Sequence, residues 1–205
     1  MRALSLGLAL LAIPALAEAQ GDGVYGRFDR DLTLEAGLGG GVAFEGSAVL
    51  GAGVLDLRAR YLDMAGILVG GELRPEGASR VVVGVDVRPL WVGRFLLGGS
   101  FHDRYWDLFL DSIGLDLGVA ITPLDETAGV ALMVGFGMDV PLVFFGDGIE
   151  GLSLRLFGRH VAALETDRYG PDGGVNDWIA GATLVVRSGV STGLPGWEPR
   201  RYSLP

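Results

Sequence analysis

The residues VLGAGVLDLRARY, Val49–Tyr61, read in steps of two, divide into two surfaces suited to different solvents. Leu55, Leu57, Ala59 and Tyr61 fall on one, and Asp56, Arg58 and Arg60 on the other. Successive side chains of an extended chain point to opposite sides of a sheet, so the stretch predicts a strand with one apolar and one ionic face. Either face of such a strand can meet solvent while the other is enclosed.

The same alternation runs outward in both directions. Upstream, Leu32, Leu34, Ala36, Leu38, Val42 and Phe44 oppose Thr33, Glu35 and Gly37, and Glu45-Gly46-Ser47 turns the chain back. Downstream, a third strand sets Ile67, Val69 and Leu73 against Glu72 and Arg74, and Pro75-Glu76-Gly77 supplies turn residues. The fourth, from Arg80, sets Val81, Val83, Val85 and Val87 against Asp86 and Arg88 and stops near Pro89. Four more follow from Ser112: Leu115 and Leu117 against Asp116, Val134 and Phe136 against Asp139, Leu154 and Leu156 against Arg155 and Arg159, and Leu184 and Val186 against Arg187. Eight strands with mostly short links predict an antiparallel meander, and eight are enough to close a barrel.

One segment breaks the pattern. Residues 89–111 hold Trp91, Phe95, Phe101, Tyr105, Trp106 and Phe109, and the second half has helical spacing, with Asp103, Asp107 and Asp111 every fourth residue and the aromatics opposite. This predicts a short amphipathic helical insert after strand four with Asp103 as N-cap. As a plug, an anchor at a membrane interface or a docking helix it is long for its place in a meander, unless a strand is hidden near Leu90 to Leu97. Tryptophan and tyrosine favour interfaces, which marks Trp91, Phe95, Tyr105, Trp106 and Phe109 as candidate interfacial residues.

Composition narrows the class. The 205 residues are 49% hydrophobic with a mean hydropathy of +0.40, yet 20% are charged. Past the N-terminus no run approaches the roughly 20 apolar residues of a spanning helix. MRALSLGLALLAIPALAEAQ has a basic start, an apolar core and small residues at Ala17 and Ala19, the pattern of a signal peptide over 1–19. It carries one base, Arg2, and one acid, Glu18, so the mature chain keeps the net charge of −9. That acidity argues against nucleic acid as a partner. There is no cysteine for a disulfide, and every one of the 16 basic residues is arginine. The domain plan is an arm at 20–31, a barrel at 32–187 and a tail at 188–205.

By parity, the non-apolar faces carry six acids, Glu35, Asp56, Glu72, Asp86, Asp116 and Asp139, and seven arginines, Arg58, Arg60, Arg74, Arg88, Arg155, Arg159 and Arg187. The near-cancellation suits a closed lumen, because an unpaired buried charge costs several kcal/mol. The opposite faces hold no lysine, arginine, aspartate or glutamate, as a lipid-facing band requires. A signal peptide, eight alternating strands and a balanced ionic interior together resemble the small eight-stranded outer-membrane β-barrels of Gram-negative bacteria. The closing strand WIAGATLVV is similar to the assembly signal on their last strand, although no polar residue leads it and the chain runs on to Leu204-Pro205. The resemblance implies an all-β, antiparallel transmembrane barrel in the outer membrane, of structural or interaction type, with outer-membrane lipid and the barrel-assembly machinery as partners. The alternative is a soluble periplasmic or secreted calyx that binds lipid.

No constellation for catalysis stands out. The triple glycine Gly39-Gly40-Gly41 lacks the lysine and helix of a phosphate loop, so no cofactor is expected. Some barrels of the resembled kind modify lipids with histidine and serine, but Ser153 and His160 have opposite parity on one strand and cannot meet. No metal site is expected either.

Overall fold

The computed structural model describes residues 25–75, 79–122, 129–163 and 177–193. The signal segment, the first residues of the arm, the Glu76-Gly77 turn, the loops after the fifth and seventh strands and the tail beyond Gly193 lie outside the described residues. Eight strands are present: β1 (Leu32–Glu45), β2 (Ala48–Tyr61), β3 (Ala65–Leu73), β4 (Arg80–Val87), β5 (Gly114–Thr122), β6 (Gly129–Phe144), β7 (Gly151–Ala163) and β8 (Asp177–Val190). Each pairs antiparallel with the next, and β8 returns to β1, so the sheet closes into a barrel without free edges. Glu35 marks the closure: it lies opposite Arg58 on β2 and opposite Arg187 on β8.

The insert between β4 and β5 is two helices rather than one. The first, α1 (Pro89–Leu97), starts on a proline, whose missing N–H costs nothing in a first turn, and stops at Gly98, which takes the left-handed φ of 66°. Leu90 to Leu97 therefore hides no strand, and the count of eight stands. In the second, α2 (Arg104–Asp111), Asp103 accepts a hydrogen bond from the Trp106 N–H at 3.1 Å, the expected N-cap.

Side-chain parity sets inside and outside as the alternation predicts. On β2, Leu57 is 49% exposed and its neighbour Arg58 only 6%. β4 and β5 meet at Gly84 and Gly118, where a β-carbon on either would run into the other strand's backbone. In β6 the register shifts between Pro141 and Val143, a bulge at the place where proline cannot donate to the ladder.

The interior departs from expectation in one respect. Inward positions also carry apolar side chains: Leu68, Val82, Ala120, Ala131, Met133 and Val161 form one buried cluster, and Ala43, Ala52, Val54, Phe157 and Ile179 another. Both lie mainly toward the mouth opposite the helices. The lumen is thus graded: an ionic layer lies beneath the helices, and beyond it an apolar layer is interrupted by a second group of charges, with Val54 opposite Glu72 and Val161 opposite Asp177.

Candidate functional site

The ionic layer is built by strands that each deliver one or two charges at the same end of the barrel. Arg58 donates to Asp86 at 2.5 Å and to Asp116 at 2.6 Å, which ties together two carboxylates placed directly opposite each other on β4 and β5. Arg60 reaches Asp86 at 2.6 Å and also pairs with Glu35. Glu35 accepts from Arg187 at 2.7 Å and from Arg155 at 2.8 Å, while Asp139 takes Arg155, Arg187 and Arg88 at 2.6 to 2.9 Å. Each of these planar guanidinium groups serves more than one carboxylate, so removing one arginine takes a cation from several acids at once.

Arg159 links this layer to the rest. It contacts Asp56 at 2.5 Å and approaches Glu72 at 3.5 Å, and Gly135 opposite leaves room, since a β-carbon there would sit 2.9 Å from the arginine's Cγ. Alongside the apolar clusters, Glu72 meets Arg74 at 3.2 Å and Arg80 at 3.0 Å, and both arginines close on Asp177. All thirteen charged residues assigned to the lumen from sequence are buried there. Sequence reasoning missed Arg80 and Asp177, the first residues of β4 and β8, although each shares the parity of the lumen charges on its own strand, and Arg27 and Asp63, which lie outside the strands.

Those last two belong to a lid over the helix-side mouth. Leu62 and Asp63 both have positive φ, 51° and 57°, in a tight turn closed by the Met64 N–H on the Tyr61 carbonyl at 3.0 Å. That conformation is costly for leucine. It brings the Asp63 carboxylate within reach of Arg60 at 3.1 Å, Arg88 at 2.9 Å and Arg27 at 3.3 Å. Burial alone would raise Asp63, but the surrounding arginines hold it well below the usual carboxylate range.

Arg27, from the arm, also reaches Asp111 at 3.0 Å and lies 4.0 Å from the ring centre of Trp91, whose indole N–H donates to the Leu62 carbonyl at 2.9 Å. Trp91, expected at an interface, is instead 3% exposed and part of the lid's interior. Phe95 packs half-buried against Phe28 and Trp91. The acidic stripe of α2 is turned inward too: Asp107 accepts from Tyr25 at 2.7 Å, from Ser100 and from the Phe101 N–H, and pairs with Arg94. Burial pushes Asp107 up, yet these donors outweigh it and hold the carboxyl low; Asp111 goes the other way, raised by burial against the pull of Arg27 and Arg94. Leu108, Tyr25 and Ile149 fill the middle of the lid.

No family model, curated protein or solved structure matches this chain.

Among the described residues no group of His, Asp and Glu side chains is arranged to hold a metal ion. The lumen carboxylates are engaged by arginines rather than grouped around a space. Ser153 faces inward and is buried, whereas His160 stacks on Trp178 at a centroid distance of 4.6 Å on the other parity, so the two stay apart. What the arrangement does chemically is fill the bore with ion pairs and apolar side chains, and cover one mouth.

Proposed function

We propose that the chain is an integral outer-membrane β-barrel of structural or interaction type, non-catalytic and closed to solutes. The observation that carries this reading is the reversal of solvents: arginine and aspartate fill the inside, while leucine, valine and isoleucine cover the outside of the strands. On β2 the outward row from Val49 to Tyr61 spans twelve residue steps, about 30 Å along the axis for strands tilted by about 40°. That matches the thickness of a hydrocarbon core. Phe44 and Trp178 toward one end and Tyr61 and Phe145 toward the other are exposed aromatics, as an interfacial girdle requires.

A lipid-binding calyx would keep an apolar cavity for its ligand and a polar exterior. Here the space such a ligand would need is taken by buried arginines, which weighs against that reading. The outer membrane as location, and folding by its assembly machinery, follow from the same reading together with the signal-like N-terminus.

Extraction tests it. In an outer-membrane fraction from cells expressing the full chain, carbonate or high salt should leave the protein in the pellet, and detergent should release it. Release without detergent would favour the calyx. In planar bilayers, the purified protein should give no stable open pore; reproducible large conductance steps would contradict the closed lumen.

A further inference from the structure

An amphipathic helix that covers a polar mouth should present charge to water on its other side. The lid does the opposite. With Asp107 and Asp111 turned inward, the opposite side of α2 carries Trp106, 53% exposed, in ring contact with Tyr105 at 5.3 Å and Phe109 at 6.0 Å. Leu96 and Leu97 at the end of α1 are 75% and 87% exposed, and Phe101 in the following link 60%. These large apolar groups are more exposed than most of the outward residues of the strands.

The surface runs on from the barrel's apolar exterior. α2 leads through Ser112 and Ile113 into β5, whose Leu115 and Leu117 face out, and it packs against β6, whose end carries the exposed Leu142 and Val143 and is followed by the exposed Phe145. Charge narrows what covers it. Arg27, Arg94 and Arg104 of the lid are spent inward, on Asp63, on Asp107 and Asp111, and on the carbonyls of Gly146 and Gly148. Exposed ionisable groups among the described residues at this end are Asp29, Arg30, His102, Asp103 and Asp147, which is net acidic. An anionic surface would be repelled, whereas an ammonium headgroup finds both carboxylates and aromatic faces.

Resting on the membrane reading above, we infer that Leu96, Leu97, Phe101, Tyr105, Trp106 and Phe109 form a lipid-docking surface, which lays the lid into the headgroup boundary of a zwitterionic phospholipid leaflet. The lid is then held from two sides, by ion pairs to the lumen and by lipid at its rim.

Tryptophan quenching in vesicles tests this with the full chain. Trp178→Phe with Trp197→Phe leaves Trp91 and Trp106, and adding Trp106→Phe supplies the Trp91 background. In phosphatidylcholine vesicles brominated at shallow acyl positions, Trp106 emission should fall about two-fold, as for an indole at headgroup level. Deep bromines should quench it less, and replacing half of the lipid by phosphatidylglycerol should reduce the effect. Trp106 open to aqueous acrylamide and untouched by bromine would overturn the inference, and equal quenching in anionic vesicles would overturn the zwitterionic preference. Trp178, read in Trp106→Phe with Trp197→Phe, separates the two claims. If bromolipid quenches Trp178 but not Trp106, the lid inference alone fails; if it quenches neither, the membrane reading fails with it.

Discussion

The two layers of the lumen are made by the same strands and held by different physics. β2 contributes Ala52 and Val54 to the apolar layer and, one and two inward steps later, Asp56 and Arg58 to the ionic one; β6 does the same with Met133 and Asp139. In the ionic layer each group depends on several partners of opposite sign, so a deletion leaves buried charge behind. In the apolar layer each group contributes volume and contact, so a deletion leaves a cavity that neighbours partly fill. The first should fail abruptly and the second by degrees.

Arg58→Ala should give the largest effect, because Asp86, Asp116 and Asp56 all lose a cation. A loss of about 3 to 5 kcal/mol is expected, read from urea unfolding in detergent micelles or from the heat-dependent shift on gels. A deficit below that of an apolar truncation would break the distinction between the layers. Met133→Ala, fully buried among Leu68, Val82 and Val161, should cost about 2 to 4 kcal/mol. Met133→Leu should cost less than about 1.5 kcal/mol, which makes the response graded.

At the lid, effects should be smaller. Tyr25→Phe removes the hydrogen bond to Asp107, one of several that carboxylate accepts, and should cost about 1 kcal/mol. Acid should act late. Asp107 and Asp63 have folded pKa values below their unfolded ones, so their contribution is whole above the usual carboxylate range, near pH 4, and is lost as pH falls below it. Asp111 is raised, so it protonates first and its protonation favours the folded lid. Trp91 emission should thus hold steady from pH 7 to 5 and change only as the pH falls below the usual carboxylate range. A change between pH 7 and 5 would mean that Asp111 in its ionised form is what keeps the lid closed.

How much of this is legible in the sequence depends on whether a residue declares its solvent. Arg58 between Leu57 and Ala59 does so, and eight such strands give the barrel, its closure and thirteen lumen charges. Met133 and Val82 do not. Both of their flanking positions are apolar, so alternation is silent about which side is buried, and the apolar layer goes unseen. The lid fails for another reason. Asp107 and Asp111 show helical spacing, but the cations that turn them inward, Arg27 and Arg94, come from the arm and from α1, and only the folded chain brings them together. Asp63 sits in a turn, where a charge has no parity to read.

The central claim, that the apolar parity faces lipid and the ionic parity a closed bore, is tested most directly by spin labels. The chain has no cysteine, so single cysteines at Leu55, Leu57, Leu117, Leu132 and Leu184 can be labelled one at a time in the protein reconstituted into bilayers. All five should collide freely with oxygen, which concentrates in hydrocarbon, and poorly with a water-soluble nickel chelate. Ready collision with the chelate at these positions in correctly folded protein would contradict the account, because the apolar belt would then face water.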